Sequence, residues 1–178
     1  MATRLHLLVI LAAMAWYTAI ASAHGPTPQK VDEKVTIKAP PADVWKVVRD
    51  FGTIGSWHPW VTDIKVEGSG NETTRTLTLK SGGILIDSLD TVDDQAMTID
   101  YRLQNEDFKA LPVSSYSDEI TVKPVASGSE VEWISRLYRA DTGNEPSEDK
   151  NDGAAVKGSS DFIKAGLDGL KVKLESKK

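Results

Sequence analysis

Apolar and polar residues alternate at the start of the ordered chain. Val31, Glu33, Val35 and Ile37 run out of phase with Asp32, Lys34, Thr36 and Lys38, the two-residue period of a half-buried strand. Pro40 and Pro41 end it, and Pro41 suits the first position of a helix. Val44, Trp45, Val48 and Phe51 then recur at helical spacing, and Asp50–Gly52 closes that helix. Residues 54–61, rich in Trp, read as a second short helix or tight turn halted near Pro59.

Strands dominate next. Residues 64–66, 73–79, 84–92, 97–103, 114–125 and 130–140 each read as a strand, separated by turn clusters such as Gly68-Ser69-Gly70-Asn71 and Ser127-Gly128-Ser129. Met97, Ile99, Tyr101 and Leu103 share one face of their strand. Six strands in sequence order with short turns predict an antiparallel meander. After a polar loop at 141–152, Ala155, Ser159, Phe162, Ile163, Gly166, Leu167, Leu170 and Leu174 mark one face of a long helix. Gly158, Gly166 and Gly169 each cost that helix about 1 kcal/mol relative to Ala. Either a close approach to the sheet or a bend around a cavity would explain them. The predicted order is β-α-α-β6-α: an α+β domain whose curved antiparallel sheet wraps a long C-terminal helix around an internal cavity.

Composition narrows the setting. Residues 1–23 carry Arg4, an apolar run from Leu7 to Ile20 and then Ala21-Ser22-Ala23, the pattern of an export signal cleaved after Ala23. Residues 24–30 are an extended leader, and 31–178 one domain. Loss of the signal removes one charge and takes the net charge from −5 to −6. An acidic surface argues against nucleic acid as a partner. The absence of cysteine excludes thiol, zinc-thiolate and c-type haem chemistry and points to a core-stabilised fold. The mature chain is expected to be periplasmic, with no membrane span and no cofactor. Asp90, Asp93 and Asp94 lack the spacing of a calcium loop and read as a solvated turn.

Ala39-Pro40-Pro41-Ala42-Asp43-Val44-Trp45, Trp57-His58-Pro59, Leu79-Lys80-Ser81-Gly82-Gly83-Ile84 and Leu111-Pro112-Val113-Ser114-Ser115-Tyr116, in this element order, carry a resemblance to the START/Bet v1-like superfamily and its polyketide cyclase/dehydrase-type branch. Together with the export signal and His24-Gly25-Pro26, they resemble the MxaD-type periplasmic proteins of methanol-oxidising bacteria. That resemblance implies the helix-grip fold. It also implies an accessory role in methanol oxidation, aiding the encounter of methanol dehydrogenase with its cytochrome c acceptor.

The residues themselves leave three roles open. Trp57, His58 and Trp60 sit where a cavity mouth is expected, either as a ligand gate or as a plug. Tyr101, Tyr116 and Trp133 fall on successive strands and, with Phe162, would line a cavity for an apolar small molecule or pack as core. A cyclase or hydrolase would have to use His58 as its base, and no base–partner set accompanies it. Partner docking would use the apolar loop tip Phe108, Leu111 and Pro112 and the acidic loop Glu145, Glu148 and Asp149.

Overall fold

The computed structural model describes residues 25–176. The predicted export signal, its predicted cleavage point and His24 lie outside the described residues. Among these residues, no helix is long and apolar enough to cross a membrane.

Strand β1 (Gln29–Ile37) leads into helix α1 (Pro41–Val48) and a single 3-10 turn at Thr53–Ser56. Strands β2 (Val61–Glu67), β3 (Thr74–Leu79), β4 (Ile84–Asp93), β5 (Thr98–Leu103), β6 (Val113–Val125) and β7 (Gly128–Arg139) follow, and α2 (Asp152–Glu175) is the last described element. All seven strands form one sheet in the order β1-β7-β6-β5-β4-β3-β2. Every neighbouring pair is antiparallel. The expected meander is therefore present from β2 to β7. The first strand then returns beside the last, with Val31 opposite Ser135 and Ile37 opposite Ser129. Register shifts at Val61/Asp63, Leu89/Thr91 and Val113/Ser115 each place an extra residue in one strand. Such bulges bend a strand and increase its twist, and so curve the sheet.

The helices are pinned by polar contacts at their ends. Trp45 donates its indole N–H to Asp94 Oδ1 at 2.9 Å, and Arg49 pairs with the same carboxylate at 3.0 Å. These bonds tie α1 to the β4–β5 turn. Asp93 Oδ1 accepts the backbone N–H of Gln95 and of Ala96 in that turn. Asn151 caps α2 by accepting the N–H of Ala154 at 2.9 Å, which satisfies one of the free donors of the first turn. Glu33 of β1 meets Ser160 and Lys164, and the backbone N–H of Lys38 donates to Glu175. The helix therefore lies along β1.

Of the two forms expected for residues 54–61, a short helix or a tight turn, the turn is found, and two further expectations change in detail. The second helix is one 3-10 turn, and the chain from Trp57 to Trp60 is irregular. Pro59 has no N–H for a helical ladder, and the N–H of Trp60 goes to the His58 ring instead. The short strand at 64–66 extends to seven residues because β3 pairs with it from Val61 to Glu67. Met97 is a left-handed turn residue with φ 53°, so β5 begins at Thr98.

Candidate functional site

The strands that face α2 carry apolar residues at alternate positions, interrupted in phase by charge. On β3, Arg75 lies in step with Leu77 and Leu79. On β4, Asp87 is in step with Leu85 and Leu89, and on β6, Asp118 is in step with Tyr116 and Ile120. Period-two geometry turns all of them to the buried face. Register then decides which meet: Arg75 is directly opposite Asp87, Tyr101 opposite Asp118, and Asp118 opposite Ser135.

The result is a buried polar set. Arg75 Nε donates to Asp87 Oδ2 at 2.8 Å, and Nη1 donates to the Phe51 carbonyl at 3.3 Å. The rings of Phe51 and Tyr101 lie 4.1 Å and 4.4 Å from the guanidinium carbon. Tyr116 donates its hydroxyl to Asp87 Oδ1 at 2.5 Å. Burial opposes the charge of Arg75, and Asp87, together with Tyr101 and Tyr116, more than offsets it, so its pKa rises. Burial pushes both tyrosine hydroxyls well above their usual range, so they remain donors at neutral pH.

Asp118 stands apart from that pair. Trp133 donates its indole N–H to Asp118 Oδ2 at 2.9 Å. Asp118 Oδ1 and the Tyr101 hydroxyl are buried and make no hydrogen bond among the described residues. Burial lifts the Asp118 pKa to about 6; the side chains of Ser135, Trp133 and Tyr101 pull it down, and Asp87 pushes it further up.

Aromatic rings fill the space between this set and α2. His58 and Phe162 have ring centroids 4.1 Å apart, Trp60 and Phe162 5.8 Å, Trp133 and Phe162 6.1 Å, and Trp57 and Trp133 6.2 Å. His58 Nδ1 accepts the Trp60 N–H at 3.1 Å, which leaves Nε2 to donate to the Phe162 carbonyl at 3.0 Å. Burial lowers the His58 pKa to about 4, and the Arg75 charge adds to that, against the pull of the Phe162 carbonyl. The ring is therefore neutral at pH 7 with both nitrogens engaged, and it has no free lone pair for a substrate proton.

Of the residues expected around a cavity, Trp57, His58, Tyr101, Tyr116, Trp133 and Phe162 are buried and Trp60 is partly so. All seven belong to this region. The expected docking residues divide. Phe108 is 43% exposed, with Lys150 Nζ 5.2 Å from its ring centroid, and Glu145, Glu148 and Asp149 are exposed. Leu111 does not share that surface. It is 4% exposed and belongs to the core, because the chain turns inward to start β6. Pro112 is half-buried against α2, where a Cβ on Gly158 would lie 2.8 Å from its Cδ.

Sequence reasoning missed Arg75, Asp87 and Asp118. The signal was present as three charges in phase with Leu and Tyr on strands whose other inward positions are apolar. The described residues hold no group of three His, Asp or Glu arranged for a metal ion. Clefts open at the surface on either side of the site. One of about 480 Å³ lies between Phe51, Leu89 and the β2–β3 turn, and one of about 710 Å³ lies between Trp57, Pro59 and the C-terminal half of α2.

Residues 28–175 match the family described as polyketide cyclase / dehydrase and lipid transport. No curated protein matches the chain. Solved structures do match. The protein XoxI from Bacillus cereus is 24% identical over 84% of this chain and 96% of its own, with a TM-score of 0.66. The Zhui aromatase/cyclase from Streptomyces sp. R1128 is 16% identical over 84% and 94%, with a TM-score of 0.67. A START superfamily protein from Mycobacterium smegmatis is 13% identical over 84% and 99%, with a TM-score of 0.66. At these identities the likeness concerns the fold: a curved antiparallel sheet gripping a C-terminal helix.

Proposed function

Because the chain belongs to the polyketide cyclase / dehydrase and lipid transport family over residues 28–175, we propose that it binds a small, mainly apolar molecule between the concave face of its sheet and α2. The observation that carries this reading is the polar set inside an otherwise apolar core. A buried ion pair is often no more stabilising than well-packed apolar residues of equal volume. A buried carboxylate oxygen and hydroxyl with no partner cost about 1–3 kcal/mol each. A core selected for stability alone would not keep Arg75, Asp87, Asp118 and Tyr101 together, whereas a recognition site would. Trp57, Trp60, Tyr101, Tyr116, Trp133 and Phe162 would contact the ligand, with the Trp57–Trp60 segment as the part that gives way. His58 would hold that segment on α2 rather than act as a base, which weighs against cyclase or hydrolase chemistry led by it. Native mass spectrometry of freshly isolated protein tests the proposal. An added mass lost on denaturation is expected, and the bare chain with no affinity for any apolar probe would end it.

A second reading is a periplasmic accessory role in methanol oxidation, exerted by docking between the dehydrogenase and cytochrome c. Exposed Phe108 beside Lys150, with the exposed carboxylates of Glu145, Glu148 and Asp149 on the same loop as that lysine, favours it. Such a patch offers one apolar contact and short-range attraction for a basic surface. The electron-transfer rate between dehydrogenase and cytochrome, with and without the protein at several salt concentrations, is the test. An unchanged rate removes this reading. Export with cleavage after Ala23 belongs to the same proposal, and the N-terminal sequence of the protein recovered from cells checks it.

A further inference from the structure

Most of the polar atoms on the concave face are already committed. The two oxygens of Asp87 take Arg75 and Tyr116, the Arg75 guanidinium is paired and covered by the Phe51 and Tyr101 rings, and both His58 nitrogens are bonded. What remains on the sheet is Asp118 Oδ1 and the Tyr101 hydroxyl, on residues directly opposite each other across β5 and β6; on α2, the buried Ser159 hydroxyl is also unpartnered. From this division we infer that the ligand class is a neutral alcohol or phenol with an apolar body, and that carboxylates of the same size are rejected. The inference rests on the concave-face binding reading and adds the chemistry of the ligand to it.

The argument is one of matching and of charge. A hydroxyl group has one proton to give and lone pairs to receive. It can donate to Asp118 Oδ1 and accept from Tyr101, so that two unpartnered buried atoms are satisfied by a single group. Tyr101 keeps its proton because burial, with Asp118 beside it, raises its pKa. A carboxylate ligand can accept from Tyr101 but has nothing to offer Asp118. It would also add a negative charge to a region that holds two carboxylates and one cation, and that cation is already paired with Asp87. Like charges brought together without water between them repel strongly. An apolar molecule with no polar group leaves both atoms unsatisfied and gains only area. Sites built to hydrogen-bond a hydroxyl discriminate strongly against analogues that cannot complete the bonds.

Calorimetry with matched probes tests this: 2-naphthol against 2-naphthoate, and 1-decanol against decanoate, at about pH 7.5. Each neutral probe is expected to bind at least about tenfold more tightly than its carboxylate partner, a difference of about 1.4 kcal/mol. The Trp133 indole N–H resonance should shift on binding, because its acceptor is Asp118. Asp118→Asn, which keeps the shape and removes the charge, should narrow the preference to within about threefold. Tyr101→Phe should weaken naphthol about fivefold and serves if the Asp118 variant does not fold. Carboxylates binding as tightly as the neutral probes, or a preference indifferent to both substitutions, would overturn the inference while binding itself stands. Failure of all four probes, together with a bare mass for the isolated protein, would overturn the binding reading and this inference with it.

Discussion

Gly169 of α2 lies against the main chain of Trp57: a Cβ at this position would stand 1.9 Å from the Trp57 carbonyl oxygen. Three residues earlier, a Cβ on Gly166 would be 2.7 Å from His58 Cδ2 and 2.9 Å from Trp133 Cζ3. Gly166 and Gly169 therefore serve the close approach of the Trp57–Pro59 segment and of one indole. Gly169→Ala improves helix propensity by about 1 kcal/mol. It is nevertheless expected to destabilise the protein by about 2 kcal/mol net, since backbone cannot yield as a flexible side chain can. Chemical denaturation measures this, and an unchanged or raised midpoint would contradict the contact.

Asp87 holds both Arg75 and Tyr116, so its loss strands a buried guanidinium. Asp87→Ala should cost about 3–5 kcal/mol. Tyr116→Phe should cost about 1–3 kcal/mol, because it leaves one carboxylate oxygen unpaired. The double variant Arg75→Met with Asp87→Leu removes both charges and should recover most of the Asp87→Ala loss. Urea unfolding of the three variants decides, and a double variant less stable than Asp87→Ala would refute the ion-pair account.

Asp118 and His58 titrate against each other in the stability of the fold. The Asp118 pKa is raised from 3.8 to about 6 in the folded chain, so between these values the folded state holds more protons and stability falls as pH rises. The His58 pKa is lowered from 6.5 to about 4, so over nearly the same window the unfolded state holds more protons and stability rises with pH. Each effect amounts to roughly 3 kcal/mol, and together they leave a shallow profile from these two groups. Asp118→Asn should unmask the His58 term as a stability that climbs between about pH 4 and 6.5. Denaturation midpoints across that range check the slope, and a variant profile as flat as the parent's would exclude the pairing.

Asn151 is the side-chain cap of α2. Asn151→Ala should cost about 1 kcal/mol, and Asn151→Gly only a few tenths. Thermal unfolding of the two variants distinguishes the cap from a packing effect, since a packing loss would be larger for glycine.

Much of the architecture can be read from residue order alone. Alternation in 31–37, 73–79 and 114–125 marks strands because a pleated chain turns successive side chains to opposite faces. The spacing of Ala155, Phe162, Ile163 and Leu170 marks the face of α2 by the same kind of argument. The inward turn of the aromatic residues is legible too: Trp57, Tyr101, Tyr116, Trp133 and Phe162 are all buried. The polar half of the candidate site is not. Arg75 lies in a Thr-rich strand, and only its phase with Leu77 and Leu79 marks it as buried. Leu111 was misplaced because an apolar residue in a loop can face solvent or core, and the entry of β6 into the sheet decides which.

Local pattern by itself determined which side chains turn inward, because the periods of strand and helix are properties of a few adjacent residues. Tertiary structure alone decided what they meet there. Arg75 faces Asp87, and Tyr101 faces Asp118, through strand register. Phe162 reaches His58 across 104 residues of chain. Register is set by turns, bulges and the packing of α2 over the whole sheet, and a slip of one residue would send every one of these groups to the opposite face.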